Sequence, residues 1–322
     1  MVKLLNSFAF VMEPIPPYSF RLTVRKPAGW PLFTPFEVYE RRTLWTATHI
    51  RGHLVGIRLT SRGTTDRPRI AATIFLEGIQ ATATEELDAI KRSLAHSLGA
   101  DSDLTEFYEL AREDSILRHV IEDLYGMHST GPDTIFPEAA LAILLQMAPL
   151  RRSDEMMSCF ISKYGETAEF DGRSIPVWPL PERIARLDPQ ELAMACKLGY
   201  RARHLVNLAR KLEEDEAFPT MDDLERLEPD EARRRLLELP GIGDYSADII
   251  NPHGGFPIDA WSVEVFGKLF YGEEPRDKRK AIEGIKREGL RRWGKWSWMA
   301  FFYVVQDLEN LSRKLNTRLR LE

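Results

Sequence analysis

The stretch "LPGIGDYSADIINPHGGFPID", Leu239 to Asp259, holds the residue types in this chain whose spacing could do chemistry. Gly241 and Gly243 lack a side chain, so they can enter the left-handed region and let another backbone approach closely. A helical pattern follows them, and a helix opens with unpaired N–H groups and the positive end of its dipole. Together these make a seat for one phosphate. Asp259 then precedes the amphipathic run "AWSVEVFGKLF". A carboxylate placed there could stabilise a developing positive charge, or orient and deprotonate a water. The same residues also fit an unliganded αα-corner and an ordinary helix N-cap, and the residue types alone leave both pairs of readings open.

Those residues need elements to position them. "DEARRRLLELPGIGDYSADII" reads as two helical patterns joined by Pro-Gly-Ile-Gly, a connection so short that the helices turn back on one another over 230–251. From Phe8 to about Leu76 apolar and polar residues alternate in short runs such as "YSFRLTVRK", "LVGIRLTSR" and "RIAATIFLEG", which predicts strands and hairpins. From Glu85 the period becomes helical and everything downstream reads as helices, among them Pro137–Gln146, Asp154–Tyr164, Pro189–Leu198, Ala202–Glu213, Asp230–Leu239, Asp244–Asn251 and Trp298–Leu311. The predicted fold class is α+β with segregated halves: a small N-terminal antiparallel sheet domain over residues 1–100 and an all-α body over 101–322.

Composition bounds the rest. The chain has 322 residues, a formal net charge of -5, and no apolar run of membrane-spanning length, so a soluble, intracellular protein is expected. Residues 260–322 carry 14 lysines and arginines against 9 acidic residues, a local basic excess that suits nucleic acid and also suits a solvated helix face. Two cysteines, Cys159 and Cys196, are too few for an iron–sulfur cluster or a Cys-based zinc site, and both are expected to be reduced thiols. The seven histidines show no ligand spacing, so no catalytic metal is expected.

"LPGIGDYSADII" followed by "FPIDAW" resembles the helix-hairpin-helix DNA glycosylase superfamily, and further motifs extend the resemblance over most of the chain. "PPYSFRLT", "AILLQMAPLRRSDEMMSCFISKYGE" and "RRWGKWSWMAFF" resemble segments of the inducible 3-methyladenine DNA glycosylases, and "KLGYRARHLVNLA" resembles a helix of the 8-oxoguanine DNA glycosylases. The resemblance implies a TBP-like N-terminal sheet domain and a glycosylase body. It implies a monomer acting on double-stranded DNA with a damaged base in the cytoplasm or nucleoid. Asp259 would be the catalytic carboxylate. Leu239, Gly241, Ile242, Gly243 and Ser246 would hold the DNA backbone, with no cofactor beyond a monovalent cation on the hairpin carbonyls. Met147, directly after Gln146, would occupy the gap left by a flipped base and Gln146 would bind DNA beside it, although a core methionine fits the same pattern. Tyr245, Trp296, Trp298 and Phe302 would wall the base pocket, although aromatic residues at helical spacing also fit plain core. Strand-nicking relatives carry a lysine where this chain has Tyr245, and a phenol forms no Schiff base with a sugar, so a monofunctional hydrolase is expected. Alkylated purines are the expected substrate; oxidised or deaminated bases are the enzymatic alternative, and a non-catalytic DNA-binding or lesion-recognition protein is the alternative of another class. The Asn251 to Asp259 connection is shorter than the family's, which bears on the pocket wall and on the placing of the carboxylate.

Overall fold

The computed structural model describes residues 1–322 apart from 29–33, 79–83, 133, 216 and 321–322. The chain opens with β1 (Val2–Lys3), β2 (Asn6–Met12), α1 (Phe20–Val24), β3 (Val38–Glu40), β4 (Thr43–Ile50), β5 (His53–Ser61), β6 (Ile70–Leu76) and α2 (Thr84–Ser97). Next come α3 (Thr105–Glu113), α4 (Leu117–Asp123), α5 (Ile135–Leu145), α6 (Leu150–Tyr164), β7 (Thr167–Phe170), β8 (Arg173–Pro176), α7 (Pro181–Ala185), α8 (Pro189–Cys196) and α9 (Arg201–Glu214). The remainder is helical: α10 (Met221–Arg226), α11 (Pro229–Leu237), α12 (Asp244–Ile250), α13 (Ser262–Tyr271), α14 (Lys278–Trp293), α15 (Ser297–Gln306) and α16 (Leu308–Lys314). No helix among the described residues is long and apolar enough to cross a membrane.

Alternation in the N-terminal third does what period two dictates. Strands β2, β6, β5, β4 and β3 form one antiparallel sheet in that order. Ile57, Leu59, Ile70, Ala72 and Ile74 share a buried cluster with Ile90 and Leu94 of α2 and with Leu98 just beyond it. Each fully buried Ile or Leu there contributes roughly 1.5–3 kcal/mol relative to exposure. A second sheet, β1-β7-β8, packs Ala168, Phe170 and Ile175 with Ala47 of β4. Gly56 is required at that contact, because a Cβ there would lie 2.5 Å from the Phe170 ring.

Four expectations need correction. "YSFRLTVRK" alternates like a strand yet contains α1, because Ser19 caps the turn through Leu22 N–H, at 3.4 Å. The region downstream of Glu85 is not wholly helical: β7 and β8 form a hairpin whose turn residues Asp171 and Gly172 have φ of 48° and 72°, an Asp-Gly signal for a primed turn. The helix expected over Trp298–Leu311 is two, broken at the buried Asp307. Finally, Cys159 of α6 and Cys196 at the end of α8 are joined in a disulfide. Their separation of 37 residues hides a Cα–Cα distance of 5.5 Å that only the packing of α6 with α8 creates.

Two compact units result, each discontinuous: Met1–Asp103 with Gly126–Met221, and Leu104–Tyr125 with Asp222–Glu322. The first holds both sheets and α5 to α9. The second is helical, with Phe256, Phe266, Phe270, Trp293 and Phe301 forming an aromatic core in which centroids lie 4.9–6.3 Å apart. Gly289 of α14 makes room for it, since a Cβ would sit 2.3 Å from Phe256.

Candidate active site

The hairpin of the second unit begins with α11, which Pro229 starts at a position where its missing N–H costs nothing. Leu239 and Ile242 are buried, and Ile242 N–H donates to Leu239 O at 3.1 Å, so these two side chains fasten the turn inward. Gly241 takes φ of 85°, which only glycine adopts without strain. Gly243 does not: it is extended, with φ of -107°, and caps α12. It is exposed, and a Cβ on it would meet open space, so its surroundings admit another chain's backbone. Ser246 is buried behind it.

Charges clamp the two helices. Arg233 of α11 donates to Asp244 Oδ1 at 2.5 Å and, through Nε, to Asp248 Oδ1 at 3.3 Å. Asp248 is buried and also pairs with Lys286 of α14. The hydrogen bond from Arg233 holds the Asp244 carboxyl below its usual pKa, which keeps that acid ionised and paired. This removes an unbalanced negative charge from the mouth of the hairpin. The run of three arginines in the sequence shows no sign of which one does this.

Asp259 does two things at once. Its Oδ1 accepts from Trp261 N–H at 3.0 Å, from Ser262 N–H at 2.8 Å and from Ser262 Oγ at 2.8 Å. Its own N–H donates to Ser262 Oγ at 2.9 Å, a reciprocal capping arrangement that opens α13. All the hydrogen bonds of the carboxylate among the described residues fall on Oδ1, and the residue is half-buried rather than sealed. Oδ2 accepts no hydrogen bond among the described residues. Burial and, after it, the negative charge of Asp259 push the Tyr245 phenol above its usual pKa. Ser262 is a positioning residue that the sequence did not single out; the Asp-x-x-Ser spacing was its signal.

The short connection is firmly held. His253 N–H donates to Asn251 Oδ1 at 3.2 Å, and its Nε2 bonds Leu224 O at 3.0 Å. Ser297 Oγ donates to Gly255 O at 3.0 Å. Gly254, with φ of 78°, lies so near Trp298 that a Cβ would stand 3.0 Å from that residue's Cβ, and a Cβ on Gly255 would be 2.8 Å from Asp248. Of the expected pocket walls, Trp298 and Phe302 are half-buried and stacked, with centroids 5.2 Å apart and planes at 19°. Trp296, also half-buried, is tilted on Phe107 at 5.7 Å. Tyr245 makes no ring contact with any of them among the described residues. Trp261, beside Asp259, has an indole N–H that is buried and unpartnered among the described residues.

In the first unit, α5 ends at Leu145, Gln146 caps it and the chain turns sharply. Met147 takes φ of 47° and is 74% exposed, which removes the alternative of a core methionine on a buried helix. The turn is fixed from α9: the Arg201 guanidinium donates to Gln146 O and lies 4.8 Å over the Tyr200 ring. Ser153 Oγ secures the other side through Leu144 O at 3.0 Å. The motif "KLGYRAR" thus supplies the residues that support the Met147 turn.

No family model matches the chain. It is similar to the DNA-3-methyladenine glycosylase of Bacillus subtilis, 26% identical over 213 residues, covering 65% of this chain and 68% of that protein. Among solved structures it is similar to the 3-methyladenine DNA-glycosylase of Archaeoglobus fulgidus, with a TM-score of 0.69 at 20% identity, covering 93% of this chain and 98% of that one. It also has the fold of the 8-oxoguanine glycosylase/lyase of Clostridium acetobutylicum, with a TM-score of 0.67 at 14% identity, covering 92% of this chain and 95% of that one. These relatives and structure neighbours are DNA glycosylases of the helix-hairpin-helix type, in agreement with the superfamily that the hairpin and Asp259 resemble.

Proposed function

We propose that the protein is a monofunctional DNA base-excision glycosylase that hydrolyses the N-glycosidic bond of a flipped damaged nucleotide, with alkylated purines as its substrates. The observation that carries this reading is the division of labour on Asp259, whose Oδ1 caps α13 while Oδ2 stays uncommitted. A protein that only bound DNA would need the cap and not the free oxygen.

The reaction follows from what the residues can do. The backbone at half-buried Gly241 and exposed Gly243 holds a phosphate of the damaged strand. Leu239 and Gly243 carbonyls each accept one N–H and keep a second lone pair, which suits a monovalent cation on the hairpin. The exposed Met147 fills the stack as the nucleotide turns out. As the bond from C1′ to the base breaks, its electron pair leaves with the base and positive charge grows on the sugar. Asp259 Oδ2 faces that charge and orients the water that adds to C1′, taking its proton. An alkylated purine is cationic and departs neutral, so one carboxylate suffices. Stacked Trp298 and Phe302 offer a face for such a cation, worth about 0.5–2 kcal/mol. Tyr245 has no amine, so no Schiff base forms and the strand stays intact. The TBP-like character of the N-terminal half, the monomeric state and an intracellular site of action complete the proposal.

A panel of duplexes, each with one modified base, tests it. Abasic sites are expected from 3-methyladenine and 7-methylguanine duplexes, with strand breaks appearing only after alkali. Release of 8-oxoguanine or hypoxanthine alone would replace the alkylation assignment by its alternative, and breaks without alkali would overturn the monofunctional one.

A further inference from the structure

Helices α3 and α4 of the second unit, with Tyr125 just beyond α4, border an open surface hollow whose lining includes neither the hairpin nor Asp259. Its lining is Tyr108, Arg112, Arg118, Ile121, Glu122 and Tyr125, and its volume is about 510 Å³. That is within the ~300–1,000 Å³ of ligand sites. The floor is rigid: Tyr108 is buried and its hydroxyl lies 2.9 Å from that of Tyr303. Tyr125 leans on Tyr108 with centroids 5.3 Å apart at 51°, yet keeps 42% of its surface exposed. A phenol ring is thus held open to solvent by a buried partner.

The charge at this hollow is one-sided. Arg112 has no ion pair or hydrogen bond among the described residues, and the Arg118 side chain contacts only its neighbour His119, at 3.4 Å. Both are exposed. The one acid in the lining, Glu122, is taken by Lys314 of α16 at 2.9 Å. Lys314 is held there by Asp123 as well, at 2.7 Å. What remains is two guanidinium groups with no acidic partner among the described residues, beside an aromatic face. Arginine forks match phosphate oxygens, and an aromatic face takes an unstacked base regardless of its identity. An acidic peptide would satisfy the arginines and leave the ring unused.

We propose that this hollow is a second nucleic-acid site, which binds one unstacked nucleotide of a single-stranded segment with its base on Tyr125 and its phosphates between Arg112 and Arg118. It is separate from the hairpin, so it can be tested apart from it. The probe is a fluorescein-labelled oligo(dT) 12-mer, with binding followed by anisotropy between 50 and 200 mM NaCl and folding checked by thermal melting. Arg112→Ala/Arg118→Ala is expected to weaken binding at least tenfold and to lower the log–log salt slope by about 1.4, the value for two single-strand phosphates. Tyr125→Leu is expected to lose about tenfold or more, whereas Tyr125→Phe, which keeps the ring, stays within about twofold of wild type. Gly243→Glu, which places a negative charge at the hairpin, is expected to weaken binding of an undamaged duplex while leaving the tyrosine-dependent part of oligo(dT) binding in place. Oligo(dT) binding lost in Gly243→Glu and unchanged in Arg112→Ala/Arg118→Ala would overturn the proposal, as would preference for a labelled oligo-glutamate peptide that oligo(dT) fails to displace.

Discussion

Three donors on one oxygen of Asp259 fix the carboxylate plane and so fix where its second oxygen points. Ser262 supplies two of the three, and its hydroxyl also receives the Asp259 N–H. Replacing it by alanine removes the hydroxyl from both roles while the backbone N–H bonds survive. Ser262→Ala is expected to cost about 0.5–2 kcal/mol in urea unfolding, the usual loss of a cap, and to lower kcat for base release more than it raises KM. An unchanged kcat would mean that the capping bonds do not position the reactive oxygen. At this scale the sequence was legible where a residue type is itself the chemistry. Asp259 has a carboxylate, Gly241 needs the left-handed region, and Tyr245 lacks an amine. Arg233 and Arg201 were not legible, because their roles depend on partners that only the fold brings near, whereas Ser262 had its signal in the Asp-x-x-Ser spacing.

The helices of the hairpin were predicted to within two residues, since capping and periodicity are local and the two glycines and Pro240 admit one arrangement. The β7–β8 hairpin was missed although Asp171 and Gly172 carried its turn signal, because its strands have four residues each, too few for alternation to stand out among helices. The connection from Asn251 to Asp259 carries its own consequence. Gly254 combines a left-handed φ with the approach to Trp298, so a methyl group there is both strained and crowded. Gly254→Ala is expected to destabilise the protein by about 1 kcal/mol or more. It should also shift Trp298 off Phe302, changing the ratio of kcat/KM between 3-methyladenine and 7-methylguanine duplexes. A stability loss with an unaltered ratio would place Trp298 outside the base pocket.

The whole molecule divides in a way no local signal announces, with each unit taking two separate lengths of chain. Covalent closure is equally hidden. The disulfide spans 37 residues, and by chain entropy such a loop is worth about 4 kcal/mol. Reduction, or Cys159→Ser with Cys196→Ser, is therefore expected to lower the melting temperature by several degrees, and an unchanged transition would show that the bond contributes nothing. Buried Lys26 and half-buried Glu138 add a pH dependence to the first unit. Burial pushes the Glu138 carboxyl up to about 7 against the pull of Lys26. Burial likewise pushes the Lys26 ammonium down to about 8 against the pull of Glu37 and Glu138. The folded state holds the Glu138 proton more tightly than the unfolded chain, so its contribution is present in acid and is lost as pH rises from 4.5 to about 7. Lys26 releases its proton more readily when folded, so its contribution returns only above about pH 8. Urea midpoints are expected to fall between pH 5 and 7, and Glu138→Gln to flatten that limb.

The central claim concerns the free oxygen of Asp259, and single-turnover base release by Asp259→Asn tests it most directly. Asparagine keeps the capping oxygen and removes the charge, so the hairpin, the helix start and DNA affinity should persist. The expected result is loss of abasic-site formation by several orders of magnitude on a 3-methyladenine or 7-methylguanine duplex, with the dissociation constant for that duplex within about threefold of wild type. Base release by Asp259→Asn at the wild-type rate, or equal loss of release and of binding, would contradict the assignment.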